Sequence, residues 1–274
     1  MSTTTPAGPP SAARAPGTLD LTGQRPVSFA TLTRVELRKS YDTRAGFWLL
    51  LITAILTAVA MVVVFLVAAT HDVSLSLGSF IGTTAYTSSI LLPVLGIMLI
   101  TGEWGQRTAM VTFTLEPHRS RVVLAKLAAG LLLALGVALV AMVVAVLATA
   151  LYSLTPNGAT WSLEDVSIWG FLLSQLFAML TGFALATLLL NTAAAIVVYF
   201  AYSFVLPVLF ALGANFLGWF ADLRPWIDFA DAQRPLFDGS MSGSGWAHLL
   251  VSGLLWLGVP LTLGLWRVLR AEVK

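Results

Sequence analysis

The side chains that most often perform chemistry in proteins are few in this sequence and widely spaced. Its histidines, His71, His118 and His248, form neither an HExxH motif nor a close pair, so they indicate no zinc site. The chain has no cysteine, which excludes disulfides and thiolate metal ligands. A phosphate-binding P-loop places lysine after glycine, whereas the lysines here follow arginine, alanine and valine. The sequence therefore predicts no catalytic site, cofactor or metal on this chain.

The composition is typical of a membrane protein. Apolar residues make up 58% of the chain and charged residues only 10%, with a mean hydropathy of +0.88. About 20 apolar helical residues cross a bilayer, and lone spans must be helical because lipid cannot satisfy backbone hydrogen bonds. We predict an all-α integral membrane protein with six transmembrane helices, in which Pro93, Pro207 and Pro260 kink spans two, five and six. The spans cover about residues 47–69, 81–100, 127–151, 166–190, 192–212 and 247–266.

Charge is divided unequally between the two sides of this arrangement. The segment before span one, the link between spans two and three and the segment after span six hold thirteen of the fifteen basic residues and six of the thirteen acidic residues, a net charge of +7. The opposite side holds two basic and seven acidic residues, a net charge of −5. Because basic residues favour the cytoplasmic side, we expect a multi-pass protein of the cell membrane with both termini in the cytoplasm.

Two regions precede span one. Residues 1–27 are rich in Pro, Ala, Ser and Thr and predict a disordered cytoplasmic tail, which is followed by a single six-span domain over residues 28–274. Between residues 28 and 44, apolar and charged side chains are interleaved next to the membrane, which favours an interfacial helix. Ordinary positive charge flanking a span is the alternative. The residues of interest in this helix are Arg34, Glu36, Arg38, Lys39 and Tyr41.

The link between spans two and three, residues 101–126, is the longest on the basic side. It mixes charged and apolar residues, a combination that suits docking against another protein. A loop whose charges only fix the topology is the alternative. We expect Pro117 to end a short helix over about residues 105–115. The residues of interest are Glu103, Arg107, Thr108, Met110, Phe113, Glu116, Arg119 and Arg121.

Together these features resemble the permease subunit of ABC type-2 transporters, an architecture shared by many bacterial drug, antibiotic and lipid exporters. The resemblance runs from about Ser28 to the C-terminus and depends on the basic helix, the six spans and a loose motif in the link. It implies that residues 34–41 lie in an elbow helix and that residues 107–116 form a coupling helix that rests on a separate ATPase subunit. The motif consists of Glu103, Arg107, Thr108, Thr112, Pro117, Ser120, Arg121 and Lys126.

The resemblance also implies the partners of the chain. Two permease copies, as a homodimer or a related heterodimer, would assemble with two ABC ATPase subunits that bind ATP and magnesium, and no nucleic acid would take part. Independently, none of the predicted spans contains Asp, Glu, Lys or Arg, the groups that carry coupling ions at membrane depth. We therefore expect ATP-driven export of a hydrophobic or amphiphilic compound across a bacterial cell membrane. A non-transporting membrane anchor or assembly subunit of another membrane complex is the alternative.

Polar side chains within or beside the later spans are candidates for the lining of a substrate path. Such groups are costly in lipid unless they face a cavity or another helix. Hydrogen bonding between helices is the alternative role for the same groups. These residues are Gln175, Thr181, Tyr199, Tyr202 and Ser203.

The connection before the last span, residues 213–245, carries many aromatic residues around a few charges. The resemblance implies that residues 217–229 form short re-entrant helices that close the outer end of the pathway. A surface hairpin that only connects two spans is the alternative. The residues of this possible outer gate are Leu217, Trp219, Phe220, Trp226 and Phe229.

Overall fold

The computed structural model describes residues 27–106, 108–116, 118–163 and 166–270. Helices make up nearly all of this part of the chain, together with two short strands, β1 (Leu75–Ser76) and β2 (Ala159–Thr160), that pair in parallel. The predicted tail lies outside the described residues except for Val27. The helices are α1 (Phe29–Asp42), α2 (Arg44–Thr70), α3 (Leu77–Gly105), α4 (Ala109–Leu115), α5 (Arg119–Tyr152), α6 (Ile168–Leu189), α7 (Thr192–Phe200), α8 (Leu206–Phe216), α9 (Gly218–Ile227), α10 (Phe229–Ala232), α11 (Arg234–Phe237), α12 (Gly243–Gly253) and α13 (Val259–Arg270).

Six helical segments in the described part of the chain are long and apolar enough to cross a membrane, which confirms the predicted helical class and the number of apolar spans. Four of them are the single helices α2, α3, α5 and α6. The fifth joins α7 to α8 over Thr192–Phe216, and the sixth joins α12 to α13 over Gly243–Arg270. Most of their bounds lie within a few residues of the predicted ones, because the apolar runs themselves determine the length of each helix.

The third span differs most from its prediction. Helix α5 begins at Arg119 rather than near residue 127, because Val122, Val123 and Ala125 are buried against the bundle and extend the helix beyond the apolar run. The spanning helices therefore carry charged residues near their ends, among them Lys126 in α5 and Glu103 in α3. Both residues lie outside the predicted span bounds, within which the sequence has no Asp, Glu, Lys or Arg.

Long-range contacts bring the predicted basic segments together at one end of the bundle. The guanidinium of Arg119 lies 3.4 Å from the backbone oxygen of Val268 in α13, and Arg267 donates a hydrogen bond to the backbone oxygen of Leu188 in α6. We call this the basic end; it comprises α1, α4, the first turns of α2 and α5, and the last turns of α3 and α13. The opposite, acidic end contains α9, α10, α11 and the two strands.

Helices α3 and α6 form the centre of the bundle and are the most buried of the six spans. Their backbones approach closely where Gly182 of α6 lies against Pro93 of α3 and where Gly96 of α3 lies against Met179 of α6. Small residues allow such approaches between membrane helices. The other spans expose long rows of Leu, Ile and Val side chains on their outer faces, as surfaces in contact with lipid do.

The fifth and sixth spans each contain a π-helical turn, Ala201–Val205 and Leu254–Gly258, a short distance before Pro207 and Pro260. Proline has no N–H and its ring collides with the carbonyl four residues earlier, so the regular hydrogen-bond pattern is disturbed there. Pro93, in contrast, lies inside α3, which continues without a break. The two turns are close in space, because the ring of Tyr202 packs against that of Trp256 with centroids 4.8 Å apart.

Candidate functional site

Four charged side chains from three helices meet at the basic end. Lys39 Nζ lies 2.8 Å from Glu36 Oε1 and 2.9 Å from Glu103 Oε1. Lys126 Nζ lies 2.6 Å from Glu36 Oε2 and 3.2 Å from Glu103 Oε1. We call Glu36, Lys39, Glu103 and Lys126 the ion-pair cluster. It connects α1 to the end of α3 and the start of α5.

The cluster is mostly shielded from solvent. The side chains of Lys126 and Glu36 are 6% and 7% exposed, whereas that of Lys39 is 45% exposed. Burial alone would lower the pKa of Lys39, but its hydrogen bonds to Glu36 and Glu103 outweigh burial and raise the pKa above its ordinary value of 10.5. Because the pKa is raised, the pairing of Lys39 is fully present below pH 10.5 and is lost only as the pH rises through the raised value.

The remaining residues of the proposed elbow helix lie on the outer side of α1. The helix begins after Ser28, whose hydroxyl accepts a hydrogen bond from the backbone N–H of Thr31 at 3.1 Å, as an N-cap does. Arg34, Arg38 and Tyr41 are exposed. The structure therefore separates the five residues of interest into an inner pair in the ion-pair cluster, Glu36 and Lys39, and an outer set of three.

Several residues of the proposed coupling segment bond within their own chain. The carboxylate of Glu116 is paired with His118 and with Arg121, at 3.1 Å in both cases. Arg121 also donates to the backbone oxygen of Val27 at 2.7 Å. Arg119 reaches α13 as described above, and Glu103 belongs to the ion-pair cluster. These contacts hold the link against the bundle.

A short helix does form in this link, α4, and it begins after Thr108 rather than near residue 105. Arg107 lies outside the described residues, as does the side chain of Phe113. Met110 and Val111 are 51% and 59% exposed, and Thr114 is exposed beside them. We call Met110, Val111 and Thr114 the α4 face. An exposed apolar pair in a basic, polar setting is suited to contact with another protein.

A cavity of about 520 Å³, the outer cavity, lies between α3, α6, the π-helical turn of span five, α10 and α11. All of the polar residues proposed from the sequence as pathway lining contribute to its walls. These are Gln175, Thr181, Tyr199, Tyr202 and Ser203. Sequence reasoning did not identify the rest of the wall, because Tyr86, Ser89 and Phe204 carry no pattern that distinguishes them from other span residues.

The polar groups of the outer cavity also bond to neighbouring helices. The hydroxyl of Tyr199 donates to the backbone oxygen of Ser89 at 3.0 Å, and Thr181 donates to the backbone oxygen of Phe177 in its own helix at 2.8 Å. Gln175 Nε2 donates to Ser88 Oγ in α3. The two roles considered from the sequence, cavity lining and helix-to-helix bonding, therefore coexist in Gln175 and Tyr199.

The residues of the possible outer gate do not line the outer cavity. Phe229 is buried and packs against Phe177, with ring centroids 5.5 Å apart, whereas Trp219 is 64% exposed. Leu217 is also exposed, Phe220 contacts Phe210, and Trp226 contacts His248. The wall of the cavity at the acidic end of the bundle is formed instead by residues of α10 and α11, including Ala230 and Arg234.

A second cavity, of about 690 Å³, lies at the basic end between α1, the start of α2, the end of α3 and α4. The ion-pair cluster contributes to its wall, as do Thr108 and Val111. No group of three or more metal-ligating side chains occurs among the residues that the structure describes.

The fold and these sites define a class: an all-helical protein with six apolar helices of membrane-crossing length and a polar, aromatic cavity between them. A particular family is not assigned by comparison, since neither protein-family models nor curated proteins gave a match to this chain.

Proposed function

We propose that this chain is the permease subunit of an ATP-driven ABC transporter that exports a hydrophobic or amphiphilic compound from a bacterial cell. The outer cavity is the observation that carries the proposal. Its volume of about 520 Å³ is in the range that accommodates drug-sized molecules. Its walls combine aromatic rings with hydroxyls and two amides, and among the described residues Arg234, at the acidic end, is the one wall side chain of fixed charge. Such a lining suits an amphiphilic compound.

The positions of the charged residues favour an energy source that is not part of this chain. Ion-driven carriers commonly need an ionisable group at membrane depth. In the described spanning helices the charged side chains lie near helix ends, for example Glu103 and Lys126, and these two are paired with each other. The sequence also lacks a lysine placed as in a P-loop. In this proposal, ATP and magnesium bind to a partner ATPase.

The basic end faces the cytoplasm in this proposal, because basic residues favour that side. There the α4 face is available to an ATPase subunit, and α4 is joined to α3 and α5, which contribute two of the four residues of the ion-pair cluster. Movement of the partner at α4 would thus be transmitted to the central helix α3, to which α4 is directly joined and which the ion-pair cluster holds in place. Two such permeases with two ATPase subunits complete the transporter.

Replacing Met110 with glutamate is expected to reduce the amount of ATPase that co-purifies with the chain by at least tenfold, which corresponds to about 1.4 kcal/mol. The reason is that Met110 is 51% exposed on the α4 face, where a carboxylate would have to be desolvated at the contact. The measurement is quantitative mass spectrometry of the complex purified from native membranes in mild detergent.

Leu154→Glu is the matched control, because Leu154 is 82% exposed in the turn after α5, at the acidic end. We expect this variant to retain the wild-type amount of ATPase. Full retention of ATPase by the Met110→Glu variant would show that the α4 face is not the contact. Loss of ATPase from both variants would indicate a general effect of added charge.

A further inference from the structure

The outer cavity contains one buried polar atom whose bonding is incomplete. Gln175 is only 1% exposed, and its Oε1 has no hydrogen-bond partner among the described residues. The other end of the amide, Nε2, donates to Ser88 Oγ. The Ser88 hydroxyl proton is itself engaged, since Ser88 Oγ donates to the backbone oxygen of Thr84 at 2.7 Å. Ser88 can therefore accept from Gln175 but not donate to it, which fixes Oε1 as the free end of the amide.

An unsatisfied buried carbonyl is costly to a folded protein, by about 1–3 kcal/mol in general. A methionine or leucine at this position of α6 would avoid that cost in a membrane helix. Gln175 belongs to the wall of the outer cavity, so a small movement of its side chain would bring Oε1 to a molecule that enters the cavity and supplies the missing donor. The orphaned acceptor thus points to a ligand that carries an N–H or O–H group.

The rest of the wall limits the chemistry of such a ligand. Tyr86, Tyr199, Tyr202 and Phe204 present aromatic surface, which favours flat, partly apolar molecules. Among the described wall residues Arg234 is the one with a fixed charge, and its guanidinium is paired with Asp231 at 3.3 Å. A cationic ligand would find no carboxylate among these residues, and an anionic ligand would have to compete with Asp231 for Arg234, so a charged ligand would lose its hydration with little compensation.

We propose that the outer cavity binds an uncharged, partly aromatic molecule that donates an N–H or O–H hydrogen bond to Gln175 Oε1. The identification of this molecule as the transported compound rests on the permease function proposed above. Its binding, in contrast, can be measured on the isolated full-length chain. The binding site and the permease function can therefore fail separately, because a binding assay on that chain contains no ATPase.

The test compares two probes that differ by one O-methylation, 2-naphthol with its O–H group and 2-methoxynaphthalene, in which a methyl group replaces the hydroxyl hydrogen. The full chain is reconstituted in phosphatidylcholine nanodiscs, and binding of the radiolabelled probes is measured by scintillation proximity after subtraction of empty nanodiscs. We expect 2-naphthol to bind about tenfold more tightly, which corresponds to about 1.4 kcal/mol for one hydrogen bond. Since 2-methoxynaphthalene is the more lipid-soluble probe, partitioning into the bilayer works against this result.

Gln175→Met removes the acceptor while keeping the length of the side chain. We expect the affinity ratio between the probes to fall to about one in this variant, with no decrease in the thermal unfolding midpoint. Thr187→Ala is the control, because Thr187 lies in the same helix but does not line the cavity, and its hydroxyl donates to the backbone oxygen of Ala184 at 2.8 Å. The Thr187→Ala variant is expected to keep the tenfold ratio.

Three results would overturn the inference. One is equal affinity of the wild-type chain for both probes, and another is the absence of binding by either probe. The third is a Gln175→Met variant that loses thermal stability and affinity for both probes alike. That result would mean that Gln175 only bridges two helices and does not contact the ligand. Recovery of an ATPase with the wild-type chain is measured independently and decides the transporter class on its own.

Discussion

Replacing Lys126 with methionine is expected to destabilise the folded chain by about 3–5 kcal/mol, because it removes one partner from a buried group of ions. Glu36 and Glu103 would then share Lys39 as their remaining partner, and the side chain of Glu36 is only 7% exposed. A carboxylate that loses its counter-ion in a shielded site keeps its desolvation cost without the compensating attraction. The measurement is the thermal unfolding midpoint of the detergent-purified chain, followed by size-exclusion chromatography.

Two further variants separate this effect from a general loss of surface charge. Arg38→Met removes a cation from the pair with Asp42, in which the side chains are 74% and 50% exposed, so water screens the pair and its loss is expected to change the stability little. Adding Glu36→Gln to the Lys126→Met chain restores the charge balance and is expected to recover part of the lost stability. If Lys126→Met were as mild as Arg38→Met, the ion-pair cluster would not stabilise the basic end.

Gly182→Ala is expected to destabilise the chain by about 3 kcal/mol, the upper part of the usual range for overpacking. A Cβ at this position of α6 would overlap the backbone oxygen of Pro93 and lie 2.6 Å from its carbonyl carbon. Backbone atoms cannot rotate away as a side chain can, so α3 and α6 would have to move apart along the centre of the bundle. Urea or heat unfolding of the purified chain measures the loss.

Gly136→Ala is the opposite control. Gly136 lies inside α5, and a Cβ built there meets nothing within 4 Å. Alanine is better than glycine in a helix interior by about 0.5–1 kcal/mol, so this variant is expected to be at least as stable as the wild type. Equal effects of the same substitution at residues 136 and 182 would contradict the close approach of α3 and α6.

The sequence allows the helices to be predicted well, because each span is a long apolar run whose length is set by the bilayer. The helix before span one was also expected, and α1 is present. The start of α5 was missed because residues 119–126 are rich in charge, although burial of Val122 and Val123 keeps them helical. A local hydropathy pattern does not reveal a tertiary contact that extends a helix.

The relative positions of residues far apart in the chain were not predictable in the same way. Glu36 and Lys126 are separated by 90 residues, and nothing in either local pattern indicates that they meet. Gly182 and Pro93 lie in different spans, and no local pattern in the sequence indicates that they meet. For the outer cavity, residue type was informative: polar side chains in lipid must face something polar or a space, and the five proposed residues do line one cavity.

In the proposed function, the chain works as a permease beside a separate ATPase. The test is to purify the tagged chain from its native membranes in mild detergent and to measure the identity and stoichiometry of the proteins that accompany it. We expect an ABC ATPase at about one copy per permease. A chain that is recovered without an ATPase, under conditions that preserve a known ABC complex, would contradict the proposed function and favour a membrane anchor or assembly subunit.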